Sequence, residues 1–189
     1  MEKGRPLPDY RVVRSERSTV SAQVFSDGAV TVRAPFSMSD AEIADFIAKN
    51  IDKIERGIAK VQQTAKSCIG IKKLDNDELD RLKKEALRVV PERVAHFARL
   101  IDVGYTKITV RPMKSRWGSC SNEGALSFNL LLMLAPPKVL DSVIVHELCH
   151  RVEMNHSKKF YALVHTYCPD YDDCYAWLKQ NGPALIARL

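Results

Sequence analysis

A chain of 189 residues, 46% hydrophobic and 28% charged, carries enough apolar material for an ordinary core, which excludes a need for disulfides or metal merely to hold it together. Its net charge of +6, from 29 basic and 23 acidic residues, permits a polyanionic partner without demanding one, because no lysine or arginine block dominates. The five cysteines are scattered and form no C-x-x-C pair, which argues against a disulfide framework and a cysteine zinc ribbon and fits free thiols in a cytoplasmic protein.

Met1-Glu2-Lys3-Gly4-Arg5-Pro6 has no apolar stretch behind its charges and does not read as a signal peptide. The β-rich runs Thr19–Phe25 and Ala29–Arg33, joined by Ser26-Asp27-Gly28, predict a hairpin. Ser39 and Glu42 form an S-x-x-E capping box that starts a helix, with Ile43, Phe46, Ile47, Ile51, Ile54 and Ile58 at helical spacing. Residues 64–76 read as a connection. Residues 77–100 read as a helix, with Pro91 as a kink or break. Residues 106–111 predict a strand and residues 125–134 a longer one. The longest apolar run, Leu130 to Pro137, is too short to span a bilayer, so no membrane partner is expected.

Pro136-Pro137 opens a helix expected to reach about Glu153. Ser157 caps another, to about Cys168, and a last helix follows Asp170 and stops at Gly182-Pro183. Strands and helices are segregated, which predicts an α+β fold. The expected organisation is residues 1–75 as a hairpin and helix region and residues 76–189 as the hydrolase core, forming one compact unit. The oligomeric state is not legible.

The chemistry concentrates in Val145-His146-Glu147-Leu148-Cys149-His150, an H-E-x-x-H motif inside a predicted helix. Residues four apart share a helix face, so His146 and His150 can both aim imidazoles at one Zn²⁺ ion. Glu147, about a hundred degrees round, lies beside the ion as a candidate base for activating water. Apolar flanks (Val143, Ile144, Val145, Leu148) make the helix buried, and buried imidazoles beside a carboxylate are costly unless they bind something. A catalytic zinc usually has three protein ligands, and His156 is the candidate third. It reaches the metal if the helix ends near Glu153 and Asn155 takes a left-handed turn. Glu153 is the rival ligand, or a partner for a histidine N–H.

Further along, Arg116-Trp117-Gly118-Ser119-Cys120-Ser121, Leu126-Ser127-Phe128-Asn129, Ala135-Pro136-Pro137, the H-E-x-x-H stretch, Met154-Asn155-His156-Ser157-Lys158-Lys159-Phe160, Cys168-Pro169-Asp170-Tyr171 and Trp177-Leu178-Lys179 together resemble the YgjP-like metallopeptidases, relatives of the SprT-like zincins. Ser18–Ser21 and Val30–Pro35 resemble that family's N-terminal hairpin. The resemblance implies a zincin-like fold, an antiparallel or mixed sheet packed on the active-site helix. It also implies a zinc site on His146, His150 and His156 with Glu147 catalytic. The short stretch 64–76 departs from the family, whose members carry a longer segment there.

Three candidate substrate contacts precede the motif. Arg116 is suited to an anionic group, Trp117 to the floor of a cleft, and Asn129 lies on the 125–134 strand, the strand expected to pair with an extended peptide. Tyr161 and His165 are candidates for stabilising an oxyanion. Cys149 reads as a small buried hydrophobe and His96 as an ordinary helix-face residue. The first reading is a zinc peptidase acting on peptide or protein. A second keeps the metal and hydrolyses a nucleoside triphosphate, helped by Arg116, Lys114, Lys138, Lys158 and Lys159 but lacking a Gly-rich phosphate cradle. A third is a nucleic-acid-binding module with structural zinc, in which Glu147 has no task.

Overall fold

The computed structural model of the chain describes residues 7–25 and 27–189. Met1–Pro6, read above for a signal peptide, and Ser26 of the expected turn lie outside the described residues. The chain divides into two compact units, Met1–Ile69 and Gly70–Leu189.

In the first unit, β2 (Ser21–Val24) and β3 (Val30–Pro35) form the expected hairpin, antiparallel from Ser21↔Arg33 to Val24↔Val30. A third strand not resolved from the sequence pattern, β1 (Tyr10–Ser15), lies parallel on the other side of β3. The period-two alternation of β3 sends Val30, Val32 and Ala34 to one face, where they pack with Ile43, Ile47 and Ile54. The Ser39/Glu42 box caps α1 (Asp40–Lys49) reciprocally. The single helix expected there is two. Asn50 turns its side-chain amide back to the Phe46 carbonyl at 2.8 Å and divides α1 from α2 (Ile51–Ser67), and α2 runs into the stretch read as a connection.

In the second unit, Asp75 and Glu78 form a second capping box at the start of α3 (Asn76–Ile101). Pro91 does not break α3. The helix has 26 residues, and Val90 and Val94 flank the proline fully buried, so packing outweighs one forfeited backbone bond. The helix ends on Asp102 in the left-handed conformation (φ 59°).

A mixed three-stranded sheet follows, ordered β4 (Lys107–Arg111), β6 (Ala125–Asn129), β5 (Gly118–Cys120). β4 is parallel to β6 and β5 antiparallel to it. The long strand expected over 125–134 is corrected on two counts. It stops at Asn129, and a 3₁₀ helix covers Leu130–Leu134. An apolar run of that length has the same pattern in a buried strand and a buried helical turn, and the Asn129 side chain decides by accepting the Leu131 N–H at 3.2 Å. β6 is also the central strand, so the edge nearest the H-E-x-x-H helix is β5, which the sequence pattern hid in a loop.

The site helix, α4 (Pro137–Cys149), begins at the predicted proline and is buried on nearly every side, with Val139, Ile144, Val145 and Leu148 at 4% exposure or less. It packs against α3, the β5 edge, α5 (Lys158–Tyr167) and α6 (Tyr171–Ile186). The Arg93 guanidinium on α3 grips both Asp141 oxygens on α4, each at 2.7 Å, and so fixes the helix about its axis. α6 does not stop at Gly182-Pro183 but continues to Ile186. Among the described residues, no helix is long and apolar enough to cross a membrane.

Leu148 is fully buried in this core, on the motif helix. Leu148→Ala should cost about 2–5 kcal/mol in chemical denaturation. A loss below about 1 kcal/mol would contradict the packing described.

Candidate metal centre

The last turn of α4 carries His146, and His150 is its C-cap residue, still in helical conformation (φ −64°, ψ −15°), so the two imidazoles share a face. The helix ends at Cys149, not near Glu153 as expected. The Val152 and Glu153 N–H groups both donate to the Cys149 carbonyl at 3.0 Å, and the chain turns off the helix axis. The left-handed Asn155 expected to reverse the chain is also not found, since Asp102 is the only non-glycine residue with positive φ among those described. The reversal is instead a tight turn closed by Ser157 N–H donating to the Asn155 carbonyl at 2.7 Å. Ser157 then caps α5 as predicted, accepting from the Phe160 N–H at 3.2 Å.

The outcome is a convergence of three imidazoles. His146 Nε2 and His156 Nε2 stand 3.1 Å apart, and one ring nitrogen from each of His146, His150 and His156 lies within 4.8 Å of the others. Nitrogens at about 2.0–2.1 Å from a tetrahedral zinc are roughly 3.3 Å apart, so the His146–His156 pair already stands near that spacing and the full set, within 4.8 Å, can close on such an ion. The protonation chemistry agrees. Burial, then the neighbouring imidazoles, lowers the His146 pKa to about 4, and burial also lowers that of His150. Both rings are therefore neutral at physiological pH, the form that binds metal.

Their outer nitrogens are tied down. His150 Nδ1 meets the Glu153 carbonyl at 3.2 Å, and because a carbonyl only accepts, the proton sits on Nδ1 and the Nε2 lone pair faces the centre. His146 Nδ1 meets the Tyr171 hydroxyl at 2.8 Å. At 3.1 Å the His146 and His156 Nε2 atoms can share one proton, and a cation taking its place lets all three rings offer lone pairs.

Under the imidazoles lies Phe160, fully buried. Its ring stacks on His150 (centroids 4.5 Å, 25°) and meets His146 and His156 edge-on, each at 4.9 Å. Beside them Glu147 is only 6% exposed. Burial raises its pKa to about 7, against a smaller opposing pull from the Arg116 charge. Room for this carboxylate exists because residue 118 is glycine. A Cβ there would sit 2.5 Å from Glu147 Oε1.

Of the other candidates, Arg116 is exposed and near enough to act on Glu147, and Trp117 lines the cavity beside it. Asn129 is placed differently from the expectation. Its amide is 1% exposed, donates to the Met113 and Arg116 carbonyls at 2.7 and 2.9 Å and accepts from Met113 N–H at 3.3 Å. It clamps the loop that carries Arg116 and is spent on backbone, so a substrate contact is not available to it. Glu153 turns its carboxylate to the Asn155 N–H at 3.4 Å and is not in the three-histidine group. Cys149 is buried, with its thiol pushed up to about 12. All five thiols are unpaired. Tyr161 lies against His156 (centroids 6.2 Å), and His165 Nε2 is 3.7 Å from Asp172.

Phe160, Tyr171 and Gly118 are site neighbours with no site signal of their own in the sequence, because contact with side chains of another element leaves no local periodicity.

A family model described as "YgjP-like, metallopeptidase domain" matches residues 70–181, more than half of the chain. The chain belongs to the YgjP-like metallopeptidase family. The match covers His146, Glu147, His150 and His156 of this YgjP-like protein and most of its second unit. No curated protein matches it. Among solved structures, it is similar to the metallopeptidase zymogen of Methanocaldococcus jannaschii jannalysin, with 22% identity over 49% of this chain and 96% of that one (TM-score 0.44). It is also similar to the metallopeptidase zymogen of Pyrococcus abyssi abylysin, with 17% identity over 48% of this chain and 94% of that one (TM-score 0.41).

The Tyr171 hydroxyl is the outer partner of His146, and such partners typically contribute 10–100-fold to metal affinity. Tyr171→Phe should keep the fold and lower zinc affinity by about tenfold in a chelator competition. Unchanged affinity would show that the contact does not orient the ring.

Proposed function

We propose that this chain is a zinc-dependent peptidase in which His146, His150 and His156 hold the ion and Glu147 is the general base. The observation that supports this best is the convergence of three imidazoles with a buried carboxylate at one side of them. The triad and Glu147 front an open cavity of about 300 Å³, shared with Gly118, Ser119, Cys120 and Met154. A closed structural site would have a fourth protein ligand facing the ion.

When bound, zinc supplies Lewis acidity to a scissile carbonyl and makes water more acidic. The chain's own residues supply the rest. Glu147 accepts the proton of the attacking water and returns it to the leaving amine. Gly118 leaves space for that carboxylate. β5 is a sheet edge, and its outward backbone groups are suited to an extended peptide, a role moved here from the 125–134 segment. Arg116, exposed and close enough to act on Glu147, is suited to an anionic group on the substrate, and Trp117 to the wall of the cleft. Peptide or protein is the substrate class that follows from the family.

Glu147→Gln should retain zinc and lower hydrolysis by about a hundred- to ten-thousand-fold. Wild type and variant should each be offered a denatured protein and a nucleoside triphosphate. Zinc-loaded wild type that cleaves only the triphosphate would replace peptidase with phosphoanhydride hydrolase, and full activity in the variant would remove Glu147 from the mechanism. The third ligand is checked by metal analysis. His156→Ala should lose zinc while Glu153→Ala keeps it, and the reverse result would move the ligand to Glu153. Gly118→Ala, which crowds Glu147 without touching a histidine, should keep zinc yet lose most activity.

A further inference from the structure

Next to His146 and Glu147, on the side away from Met154 and His156, lies a second cavity of about 170 Å³. Its walls are Trp117 from the loop before β5, Val143 of α4, and Tyr171, Tyr175 and Leu178 of α6. Three features define what it can hold.

The first is size. A cavity of about 150 Å³ lined by aliphatic and aromatic side chains is large enough for a benzene ring, so this one suits a phenylalanine or leucine side chain and is roomy for an alanine. The second is polarity. The polar groups at its inner end are engaged within the protein. Ser142 Oγ donates to the Val139 carbonyl at 2.8 Å, and the Tyr171 hydroxyl is held by His146 Nδ1 at 2.8 Å. An anionic side chain entering here would lose water and meet the Glu147 carboxylate on the same wall, and a cationic one would engage the base that the reaction needs. The third is position. Both cavities share Gly118, His146 and Glu147, so a peptide bond placed at the histidines has a neighbouring side chain at the mouth of the apolar one.

The depth of this cavity is set from outside it. Tyr171, Tyr175, Leu178 and Gly182 follow one another at spacings of four, three and four, a single stripe along α6. The stripe ends on glycine, and the Trp117 indole occupies the gap. A Cβ at Gly182 would lie 2.8 Å from Trp117 Cζ2. Glycine in mid-helix costs about 1 kcal/mol relative to alanine, and the rigid indole explains its presence. With α6 backbone on one side, the ring has to give way when residue 182 acquires a side chain, and the neighbouring open space is the cavity.

We propose that this cavity is the specificity pocket of the enzyme, taking one apolar, phenylalanine-sized substrate side chain adjacent to the cleaved bond, with Gly182 setting its depth through Trp117. The inference rests on the peptidase reading and names its substrate class. The zinc-loaded full chain is incubated with a peptide library and the cleavage sites are mapped by mass spectrometry. One of the two positions flanking the cleaved bond should favour Phe, Leu or Met over Gly, Asp or Lys by roughly 10–200-fold. Leu178→Phe, which fills the cavity, and Gly182→Ala, which displaces the indole, should each shift that position toward small residues while zinc content and the preference at the other position stay unchanged. A flat or charged preference at both positions, or an unaltered profile in both variants, would overturn the proposal.

A second arm needs no turnover. N-acetylphenylalanine amide, but not N-acetylglycine amide, should shift the Val143 and Leu178 methyl resonances of the zinc-loaded protein saturably, and in Leu178→Phe the Val143 resonances should no longer respond. Absence of saturable shifts would overturn the pocket. Shifts without cleavage of any peptide would uphold the pocket and overturn the peptidase reading instead.

Discussion

The Phe160 ring touches all three histidines, with centroids 4.5 Å from His150 and 4.9 Å from His146 and His156, and it is fully buried. Two imidazoles come from α4 and one from the turn after it, so their convergence depends on a common floor that both segments must meet. Ser157 supplies the link. By capping α5 it fixes the first turn of that helix, which places Phe160 against all three imidazoles with His156 just ahead of the cap. A short segment, His156 to Phe160, therefore contributes a candidate ligand, the cap and the apolar floor together.

The same burial sets the electrostatics. Low polarity around α4 holds His146 and His150 neutral and raises the Glu147 carboxyl to about 7. These shifts all disfavour the charged form, as expected where water is withdrawn from ionisable groups and few opposite charges replace it. The cost of such an arrangement is a signature of function, since a core built for stability alone would place apolar side chains there. The Arg93–Asp141 fork carries the complementary load, since it orients α4 from its far end without placing another charge near the histidines.

The mixed sheet matters chiefly through β5. Three residues long, it brings Gly118 against Glu147 and leaves one strand edge beside the centre. Its neighbour, the loop from Met113 to Trp117, is irregular in sequence yet fixed in space by the Asn129 amide. The rigid loop in turn presents Trp117 to the stripe of α6, so one buried asparagine positions the wall of the apolar cavity. A clamp role for Asn129 and a wall role for Trp117 thus belong to one device.

Features written in local periodicity were legible in the sequence. The β2–β3 hairpin, the Ser39/Glu42 box, the proline start of α4, the Ser157 cap and the shared face of His146 and His150 each depend on residues within a few positions of one another, where backbone geometry dictates what meets. The α+β class followed from segregation of those patterns. Tertiary structure decided the remainder. Pro91 and Gly182-Pro183 are breakers by local rule, yet both lie inside continuous helices because packing along α3 and α6 outweighs one lost hydrogen bond. Leu130–Leu134 has no period that separates a strand from a 3₁₀ turn, and a side chain one residue upstream settled it. The parallel pairing of β1, the edge position of β5 and the contacts of Phe160, Tyr171 and Gly118 join residues distant in the chain. The sequence could name the atoms able to bind a metal, but which residues stand behind and beside those atoms is fixed only when separate elements pack.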